Sequence, residues 1–562
     1  MKEKIISLLA KATNLRENEI SKLIEIPPTP ELGDYAFPCF AISKTLKKDP
    51  KEIAKELIKK IQLSKEIEKI EAIGSYINFF TNSKILAENT LKKIQKEKGD
   101  YGKRKINEEA VIEYIGPNTN KPLHVGHIRN IVLGQSIANI LKYAGNKVIM
   151  VNINNDRGIH ICKSMLAYEK FGEQITPEKA GKKSDHFIGD YYVKFAQELK
   201  NNPELEQEAQ ECLRKWEEGD KKTLALWKKM NSWALQGFKE TYKKFNVSID
   251  KEYFESKIYK EGRKIVLDSL KKGILIKKDN AIIADLRKFN LNEKVLLRAD
   301  GTSIYITQDI YLALLRKKEY NFDKMLYVVA SEQNYHFKVL FALLELFGYK
   351  WHNQLRHLSY GIVHLESGKM KSREGNVIDA DDLVEEIESL SFKEIESRYK
   401  NLEKKEKEKR AKAIAMAAIR YYFLKIEKIK DMTFKPEEAI RFEGDTGPYL
   451  LYTYARARSI LRKAKYAPNS KYEINKVENK EKQLLLELAN FPEIVLSAYS
   501  ALAPSLIANY SYNISQIFNE FYHTEKVIGS DNESFKLVLV DIFSQVLKNS
   551  LSLLNIQTLE KM

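Results

Sequence analysis

Residues 121–127 constrain the fold of this chain more than any other stretch, because they predict a turn from a buried strand into a helix. The apolar run 110–115 precedes them, and apolar residues at helical spacing follow. His124 and His127 therefore fall at a helix N-terminus, with Gly126 between them. Free main-chain N–H groups and the helix dipole favour phosphate there, and the glycine lets a ribose or an adenine come close. The sequence thus predicts a nucleotide-handling turn.

A basic, glycine-bracketed loop is predicted at residues 368–376, after the apolar run 358–365 and before the acidic helix start at 379–383. Such a loop can close over a polyphosphate, and its lysines then neutralise the charge that builds on a leaving pyrophosphate. Alone it is a weak signal, since the chain is rich in lysine. Its candidate residues are Lys369, Met370, Lys371, Ser372 and Arg373.

The histidine turn and the lysine loop, in this order, resemble the two signatures of class I aminoacyl-tRNA synthetases. Further runs at 112–124, 299–309, 330–333 and 444–449 look like those of the arginyl-tRNA synthetase family, and the resemblance extends to residues 554–562. It implies a ligase that activates L-arginine with ATP, releases pyrophosphate and transfers the arginine to the 3′ end of its tRNA. It also implies Mg²⁺ beside ATP, and arginine activation that depends on bound tRNA.

Length and pattern divide the chain into three parts, because 562 residues exceed what one hydrophobic core usually holds. Residues 1–85 read as a small α+β module, which by resemblance is an added domain that contacts tRNA. Residues 105–400 predict an α/β, doubly wound, Rossmann-type parallel sheet with a helical insertion at about 158–278. Residues 408–562 predict an all-helical domain, which by resemblance binds the anticodon.

Strands are predicted at 72–80, 111–115, 147–153, 326–330 and 358–365. The mixed-charge run 402–410 is interpreted as an exposed helix face or a connector rather than a binding site.

The charge balance suits a polyanionic partner, because 94 basic residues stand against 77 acidic ones, a net charge of +17. A solvated, lysine-rich surface is the alternative, and only the motifs favour RNA. The three cysteines match no metal spacing or disulfide framework. Because no signal peptide or membrane span is predicted, we expect a cytoplasmic protein, and we also expect a monomer without a protein metal site.

The implied reaction needs no protein nucleophile, so catalysis should come from positioning and electrostatics. The two histidines are expected to hold the phosphates and the ribose side, and the lysine loop to move in over them. The expected ATP-binding residues are His124, Gly126, His127, Lys369, Met370, Lys371 and Ser372.

An arginine substrate requires carboxylates, because a guanidinium offers five donors and no acceptor. Asp309, one helical turn past Tyr305, is the first candidate, and the resemblance places Glu255 near the guanidinium as well. For each acid the alternative is a helix cap or a surface salt bridge. The resemblance assigns three more residues to the amino and carboxylate groups of the substrate: Glu113, Asn118 and Gln333.

Aromatic and cationic residues interleave on a predicted helix of the C-terminal part, a combination that stacks unpaired bases and neutralises phosphates. Half of such a stripe must face the helical core. The candidate tRNA-binding residues are Tyr449, Tyr452, Tyr454, Arg456 and Arg458.

Three other functions stay open on the sequence alone. Another class I synthetase is disfavoured by the set Tyr305, Asp309 and Glu255, which suits a cationic side chain. A catalytically silent RNA-binding relative would not need both histidines and both loop lysines, and an ATP–pyrophosphate exchange assay separates it from an enzyme. A small nucleotidyltransferase is disfavoured by the length and by the separate helical domain.

The lysine loop departs from the general class I pattern, Lys-Met-Ser-Lys, because Ser372 stands where the second lysine is expected. Lys371 is adjacent but points elsewhere if the loop is extended. Lys121 lies three residues before His124, and many arginyl-tRNA synthetases that lack the loop lysine carry one in this place. We therefore hypothesise that Lys121 supplies the positive charge on the phosphates as pyrophosphate leaves; a solvated loop lysine is the alternative.

Lys121→Ala is expected to slow adenylate formation by on the order of 10²–10³ with little change in the KM for arginine, because a contact to transition-state charge is lost. The measurement is tRNA-dependent pyrophosphate exchange, with Lys371→Ala as the matched variant, which should be less affected. If Lys121→Ala kept nearly wild-type exchange activity while Lys371→Ala lost most of it, the positive charge would come from the loop instead.

Overall fold

A computed structural model describes residues 1–365, 378–468 and 470–562. The first part of the chain is a small α+β module, as the sequence predicted. Its elements are α1 (Lys2–Thr13), α2 (Glu17–Leu23), β1 (Tyr35–Pro38), α3 (Phe40–Leu46), α4 (Pro50–Lys60), β2 (Ile67–Ile73) and β3 (Tyr76–Thr81).

The three strands of this module form an antiparallel sheet in the order β1-β3-β2. Ile5 of α1 and Phe37 of β1 are buried in one shared core. The residues of the strand predicted at 72–80 belong to a hairpin, because Gly74 adopts a φ of +61° and turns the chain between β2 and β3.

The second part contains the parallel sheet and the insertion. Its elements are α5 (Ser83–Glu97), β4 (Glu109–Glu113), α6 (Val125–Tyr143), β5 (Lys147–Asn154), α7 (Ile159–Phe171), α8 (Ser184–Glu198), α9 (Glu204–Glu218), α10 (Lys221–Lys244), β6 (Lys251–Phe254), α11 (Glu255–Ile258), α12 (Glu261–Lys271), β7 (Ile276–Lys278), β8 (Ala281–Ala284), β9 (Lys294–Leu297), α13 (Tyr305–Tyr320), β10 (Lys324–Ala330), α14 (Asn334–Leu346), β11 (Leu355–Tyr360), β12 (Val363–Leu365) and α15 (Ala380–Arg398).

Five of these strands form one parallel sheet in the order β11-β10-β4-β5-β6. Alternate residues of β4 enter two different cores, Val111 on one face and Ala110 and Ile112 on the other, so helices cover both faces. The predicted doubly wound sheet is therefore confirmed. Chain order reverses between β4 and β10, and a ligand crevice is expected at the carboxyl ends of these strands.

The insertion differs from the wholly helical segment predicted at about 158–278. Helices α7 to α10 and α12 make up most of it, but β6 is the edge strand of the parallel sheet, and β7 begins a small antiparallel sheet with β8 and β9. Strand β6 has only four residues, of which Tyr253 alone is buried. A strand this short gives little periodic signal between long charged helices.

The third part is a helical bundle, as predicted, with one short strand that pairs with β12. Within the described ranges, no helix is long and apolar enough to cross a membrane. The elements of this part are α16 (Lys404–Leu424), β13 (Met432–Phe434), α17 (Pro436–Ala439), α18 (Gly447–Lys463), α19 (Asn479–Ala501), α20 (Pro504–Thr524) and α21 (Glu533–Leu553).

The bundle shares its core with helices α5 and α6 of the second part. The Tyr101 hydroxyl donates to the carbonyl of Leu488 (3.0 Å), and the Ser136 hydroxyl donates to the carbonyl of Leu553 (2.9 Å). The second and third parts of the chain are thus packed together rather than joined by an extended linker.

Arg129, on the second turn of α6, is fully buried and joins three segments of the chain. Its guanidinium donates to the carbonyls of Gly361 and Lys430, the latter at 2.8 Å. Gly361 has no room for a side chain, because a Cβ there would lie 2.4 Å from the main chain of Lys430. This anchor holds β12 and β13 against the helix that begins at the histidine turn.

Candidate active site

The histidine turn is a reciprocal cap on α6. The Nδ1 atom of His124 accepts from the main-chain N–H of Gly126 (3.1 Å), and the main-chain N–H of His124 donates to Nδ1 of His127 (3.1 Å). The ring centroids are 3.9 Å apart. Because both Nδ1 atoms accept, each neutral ring carries its proton on Nε2. The turn therefore presents two neutral N–H donors at a helix N-terminus.

Both histidines stay neutral at physiological pH. Burial, with the nearby Lys121 ammonium, lowers the pKa of His124 to about 4, although Asp379 acts in the opposite direction. Burial, together with His124 and Lys121, lowers the pKa of His127 well below its usual value. The rings can donate hydrogen bonds to phosphate oxygens without carrying a fixed charge.

The chain returns to the histidine turn directly after residue 377. The N–H of Val125 donates to the carbonyl of Ile378 (3.0 Å), and the N–H of Ala380 donates to the carbonyl of Leu123 (2.9 Å). These bonds flank an antiparallel bridge between His124 and Asp379. The residues that follow the predicted lysine loop are therefore fixed to the turn by main-chain pairing.

A buried ionic cluster holds this pairing in place. Asp381, on the first turn of α15, accepts from the Lys183 ammonium (2.6 Å), the Lys244 ammonium (2.8 Å) and the Thr241 hydroxyl (3.0 Å). His186 Nε2 lies 3.3 Å from the same carboxylate. Burial alone would raise the pKa of Asp381, but these donors hold it far below its usual range. The insertion is thus tied to the start of α15.

The same cluster has the spacing of a metal site, since Asp185, His186 and Asp381 bring three potential ligands together. The Lys183 ammonium already lies 2.9 Å from Asp185 and 2.6 Å from Asp381. A lysine therefore supplies the cation, and the cluster is structural.

A cavity of about 520 Å³ opens at the carboxyl ends of the parallel strands, where the crevice was expected. Six of the residues that the sequence nominated line it: Asn118, Lys121, Glu255, Tyr305, Asp309 and Gln333.

Two carboxylates line this cavity, together with the cations of Lys121 and Arg157. Asp309 lies 2.7 Å from Nε2 of His336, and Glu255 lies 3.8 Å from the guanidinium of Arg157. Burial raises the pKa of Glu255 to about 7, although Arg157 opposes the shift. Tyr305, one helical turn before Asp309, is 70% exposed at the mouth. The arrangement can accept a planar cation.

The sequence reasoning did not nominate several lining residues, among them Arg157, His160, Gln308 and His336. Arg157 follows the carboxyl end of β5, which is where ligand contacts of parallel sheets collect, so the strand prediction could have nominated it. His336 lies three residues past Gln333, and no local pattern distinguishes it from an ordinary helix residue.

The structure gives Glu113 an ion-pair partner, and its assignment to the substrate stays a prediction. Its carboxylate is buried at the end of β4 and pairs with the fully buried guanidinium of Arg316. Burial raises its pKa, although Arg316 opposes this. The ion pair fixes the carboxyl end of β4, from which the chain continues to Asn118 in the cavity lining.

The predicted loop residues Lys369, Met370, Lys371, Ser372 and Arg373 lie outside the described residues.

The predicted tRNA-binding residues of α18 divide between two faces of the helix. Tyr452 and Arg456 line an open groove of about 790 Å³, which we call the aromatic groove. Tyr449 is half-buried, and its hydroxyl accepts from Asn519 (2.8 Å). Other residues of the aromatic groove are Arg410, Arg462, Lys463, Tyr522, His523, Lys526 and Lys561.

Tyr454 and Arg458 do not line this groove, and their assignment to tRNA stays a prediction. Tyr454 is 2% exposed, and its hydroxyl donates to Glu560 (2.9 Å). The guanidinium of Arg458 donates to the same carboxylate (2.9 Å). Tyr454 follows Tyr452 by two residues, which on a helix points it to a different face.

The parallel sheet, its histidine turn and the adjoining cavity define a class I aminoacyl-tRNA synthetase, and the family model "tRNA synthetases class I (R), catalytic domain" matches residues 90–435. The model of an arginyl tRNA synthetase N terminal domain matches residues 1–81, and that of a DALR anticodon binding domain matches residues 450–562. The chain belongs to the arginyl-tRNA synthetase family.

Relatives match the chain over its length. An arginine–tRNA ligase of Borrelia duttonii is 43% identical and covers 100% of this chain and 98% of its own. One of Treponema denticola is 44% identical and covers 96% of this chain and 94% of its own. The solved Thermus thermophilus arginyl-tRNA synthetase superimposes with a TM-score of 0.85 at 26% identity, covering 100% of both chains.

The raised pKa of Glu255 makes the charge of the cavity sensitive to pH. A cationic ligand binds the ionised carboxylate, so protonation below a pKa of about 7 competes with binding. We expect kcat/KM for L-arginine to fall by up to about tenfold per pH unit below about pH 7. The measurement is tRNA-dependent pyrophosphate exchange between about pH 6 and 8.

Glu255→Gln should flatten this profile, whereas Glu261→Gln, an acid on the outer face of α12, should retain it. The KM for ATP should show no matching change. A Glu255→Gln profile that keeps the wild-type slope would assign the titration to another group.

Proposed function

We propose that the residues around the cavity bind the substrates of an arginine–tRNA ligase, each in a separate role. This enzyme activates L-arginine with ATP, releases pyrophosphate and charges tRNA. Asp309 and Glu255 accept the guanidinium, and Tyr305 covers it at the mouth. The observation that carries this assignment is the pair of carboxylates in one cavity beside the histidine turn. A guanidinium fork pairs well with two acceptors of this kind.

ATP lies along the histidine turn. The Nε2–H groups of His124 and His127 donate to the phosphates and the ribose side, and Gly126 leaves room for the nucleotide. The ammonium of Lys121 lines the cavity and acts on both histidines electrostatically, which supports its role on the phosphates. Lys369, Met370, Lys371 and Ser372 are proposed to close over the same phosphates, on the resemblance alone.

The backbone groups of the substrate need an acceptor and donors. Asn118 and Gln333 line the cavity on the side of β4 and β10 and are proposed to bind the amino and carboxylate groups. Glu113 acts indirectly, because its pairing with Arg316 holds the strand end from which Asn118 follows.

Mg²⁺ is proposed to arrive on the ATP phosphates. In the described parts of the chain, the one group with metal-ligand spacing, around Asp381, already holds a lysine ammonium. Magnesium usually keeps several waters and binds through phosphates with few protein ligands. The protein is proposed to act in the cytoplasm as a monomer.

The tRNA is proposed to place unpaired anticodon bases in the aromatic groove, with Tyr452 stacking and Arg456 neutralising phosphate. The guanidinium of Arg456 lies 4.8 Å from the ring of Tyr452, so a stacking surface and a cation are already adjacent. Tyr449 supports the groove through Asn519.

Charging should be specific for arginine. Lysine presents one ammonium and would leave acceptors of the cavity unpaired, so we expect discrimination of roughly 10⁴ in kcat/KM. Asp309→Asn keeps the size of the side chain and should lower kcat/KM for arginine by on the order of 10², with the KM for ATP nearly unchanged. The measurement is aminoacylation of total tRNA with each labelled amino acid. Equal charging of lysine by the wild type would refute the assignment.

A further inference from the structure

Arg157 places a guanidinium of the protein itself beside the proposed site for the substrate guanidinium. It follows the carboxyl end of β5, its side chain is largely buried, and it lines the cavity. Its Nη1 atom lies 3.8 Å from Oε1 of Glu255, which is beyond hydrogen-bond reach. Arg157 therefore attracts the Glu255 carboxylate without occupying an acceptor that a ligand needs.

Helix α9 of the insertion holds Arg157 at this distance. The Nη2 atom of Arg157 donates to Oε1 of Glu217 (2.5 Å). The guanidinium carbon lies 4.0 Å from the centre of the Tyr259 ring and 5.5 Å from the Trp216 ring. A planar guanidinium can stack on aromatic faces and pair with a carboxylate at the same time. The positive charge is therefore fixed beside Glu255 by partners that lie outside the proposed substrate site.

The same dipeptide, Asp156-Arg157, also fixes the main chain of Glu255. The Asp156 carboxylate accepts from the main-chain N–H of Ser256 (2.8 Å) and from the Ser256 hydroxyl (2.7 Å). Glu255 precedes Ser256 at the start of α11. The position and the charge of this carboxylate are thus both set by the residues that follow β5.

Without a cation, the acids of this region would suppress one another's ionisation. Burial is the largest cause that raises the pKa of Glu255, and the nearby Asp156 and Asp309 act in the same direction. Arg157 and a hydrogen bond from Gln308 oppose them, and the pKa lies at about 7. An opposite charge within about 4–6 Å typically lowers a carboxyl pKa by about one to three. Loss of Arg157 would therefore leave Glu255 largely protonated at neutral pH.

Other titratable groups around the cavity have different partners. Nε2 of His336 lies 2.7 Å from Asp309, and Lys121 acts on the two histidines of the turn. Arg157 is the cation that forms an ion pair with Glu255. The remaining titratable residues of the lining and of α11 are His160, Tyr192, Tyr305 and Lys257.

We propose that Arg157 is a positioning residue for amino-acid recognition, which acts through Glu255 and makes the cavity prefer a guanidinium over a neutral group of the same shape. The inference rests on the proposed function, since it requires that Glu255 accepts the substrate. Arg157 keeps this acceptor ionised without filling it, and α9 supplies Glu217 and Trp216 to hold the charge. The insertion thus contributes to the choice of amino acid from outside the described lining of the cavity.

The test compares R157Q with R214Q in the full chain, by tRNA-dependent pyrophosphate exchange between about pH 6 and 9. Arg214 is the matched control, because it pairs with Glu211 and Glu218 on α9 and does not line the cavity. R157Q should lower kcat/KM for arginine on the order of tenfold at about pH 7. The loss should shrink toward about pH 9, because the Glu255 carboxylate then ionises without Arg157. R214Q should follow the wild-type profile.

A second readout uses L-citrulline, a neutral molecule with nearly the shape of arginine, as a competitive inhibitor. The ratio of its inhibition constant to the KM for arginine should fall in R157Q at neutral pH, because a protonated Glu255 no longer favours a cation. R157K keeps the charge but loses the planar stacking surface, so it should lie between the wild type and R157Q. The KM for ATP should stay at the wild-type value in all three variants.

A loss of kcat/KM in R157Q that is equal at every pH, with the preference for arginine over citrulline unchanged, would overturn the proposal. It would show that Arg157 only supports the structure. A wild-type profile in R157Q would overturn it as well. Failure of the wild type to charge arginine, or a wild-type KM for arginine in E255Q, would instead contradict the proposed function.

Discussion

The buried carboxylate of Asp381 is the interaction on which the rest of the site depends. It joins Lys183 before α8, Thr241 and Lys244 on α10, and its own helix α15. Helix α15 in turn pairs with the histidine turn through the main chain of residues 378–380. Removing one partner from such a cluster leaves an uncompensated buried charge, which costs about 3–5 kcal/mol. The position of the nucleotide turn is therefore set by helices of the insertion.

The charge of each region of the molecule matches the ligand that we propose for it. The histidine turn is neutral because burial suppresses protonation of both rings, and it offers N–H donors to phosphate. The adjoining cavity contains the carboxylates of Glu255 and Asp309 beside the cations of Lys121 and Arg157. The aromatic groove is basic.

Much of this architecture was predictable from the sequence, and the failures have physical causes. The turn at His124 and His127 was predictable because the apolar pattern changes there from that of a buried strand to that of a helix. Strand β6 was missed because four residues with one buried side chain carry little periodicity. The burial of Tyr454 was missed because the face that a helix buries depends on the segments packed against it. The pairing of Glu113 with Arg316 was missed because the two residues lie far apart in the sequence.

The most direct measurement is ATP–pyrophosphate exchange by Asp381→Asn in the presence of tRNA. Displacing the histidine turn by about 1 Å should lower kcat on the order of 10² while the Kd for tRNA stays within about twofold. Glu394→Gln, which neutralises an acid paired with Arg398 near the other end of α15, should behave as wild type. Thr241→Val removes one donor and should give a smaller loss. A folded Asp381→Asn protein that exchanges pyrophosphate at the wild-type rate would show that the cluster does not position the active site.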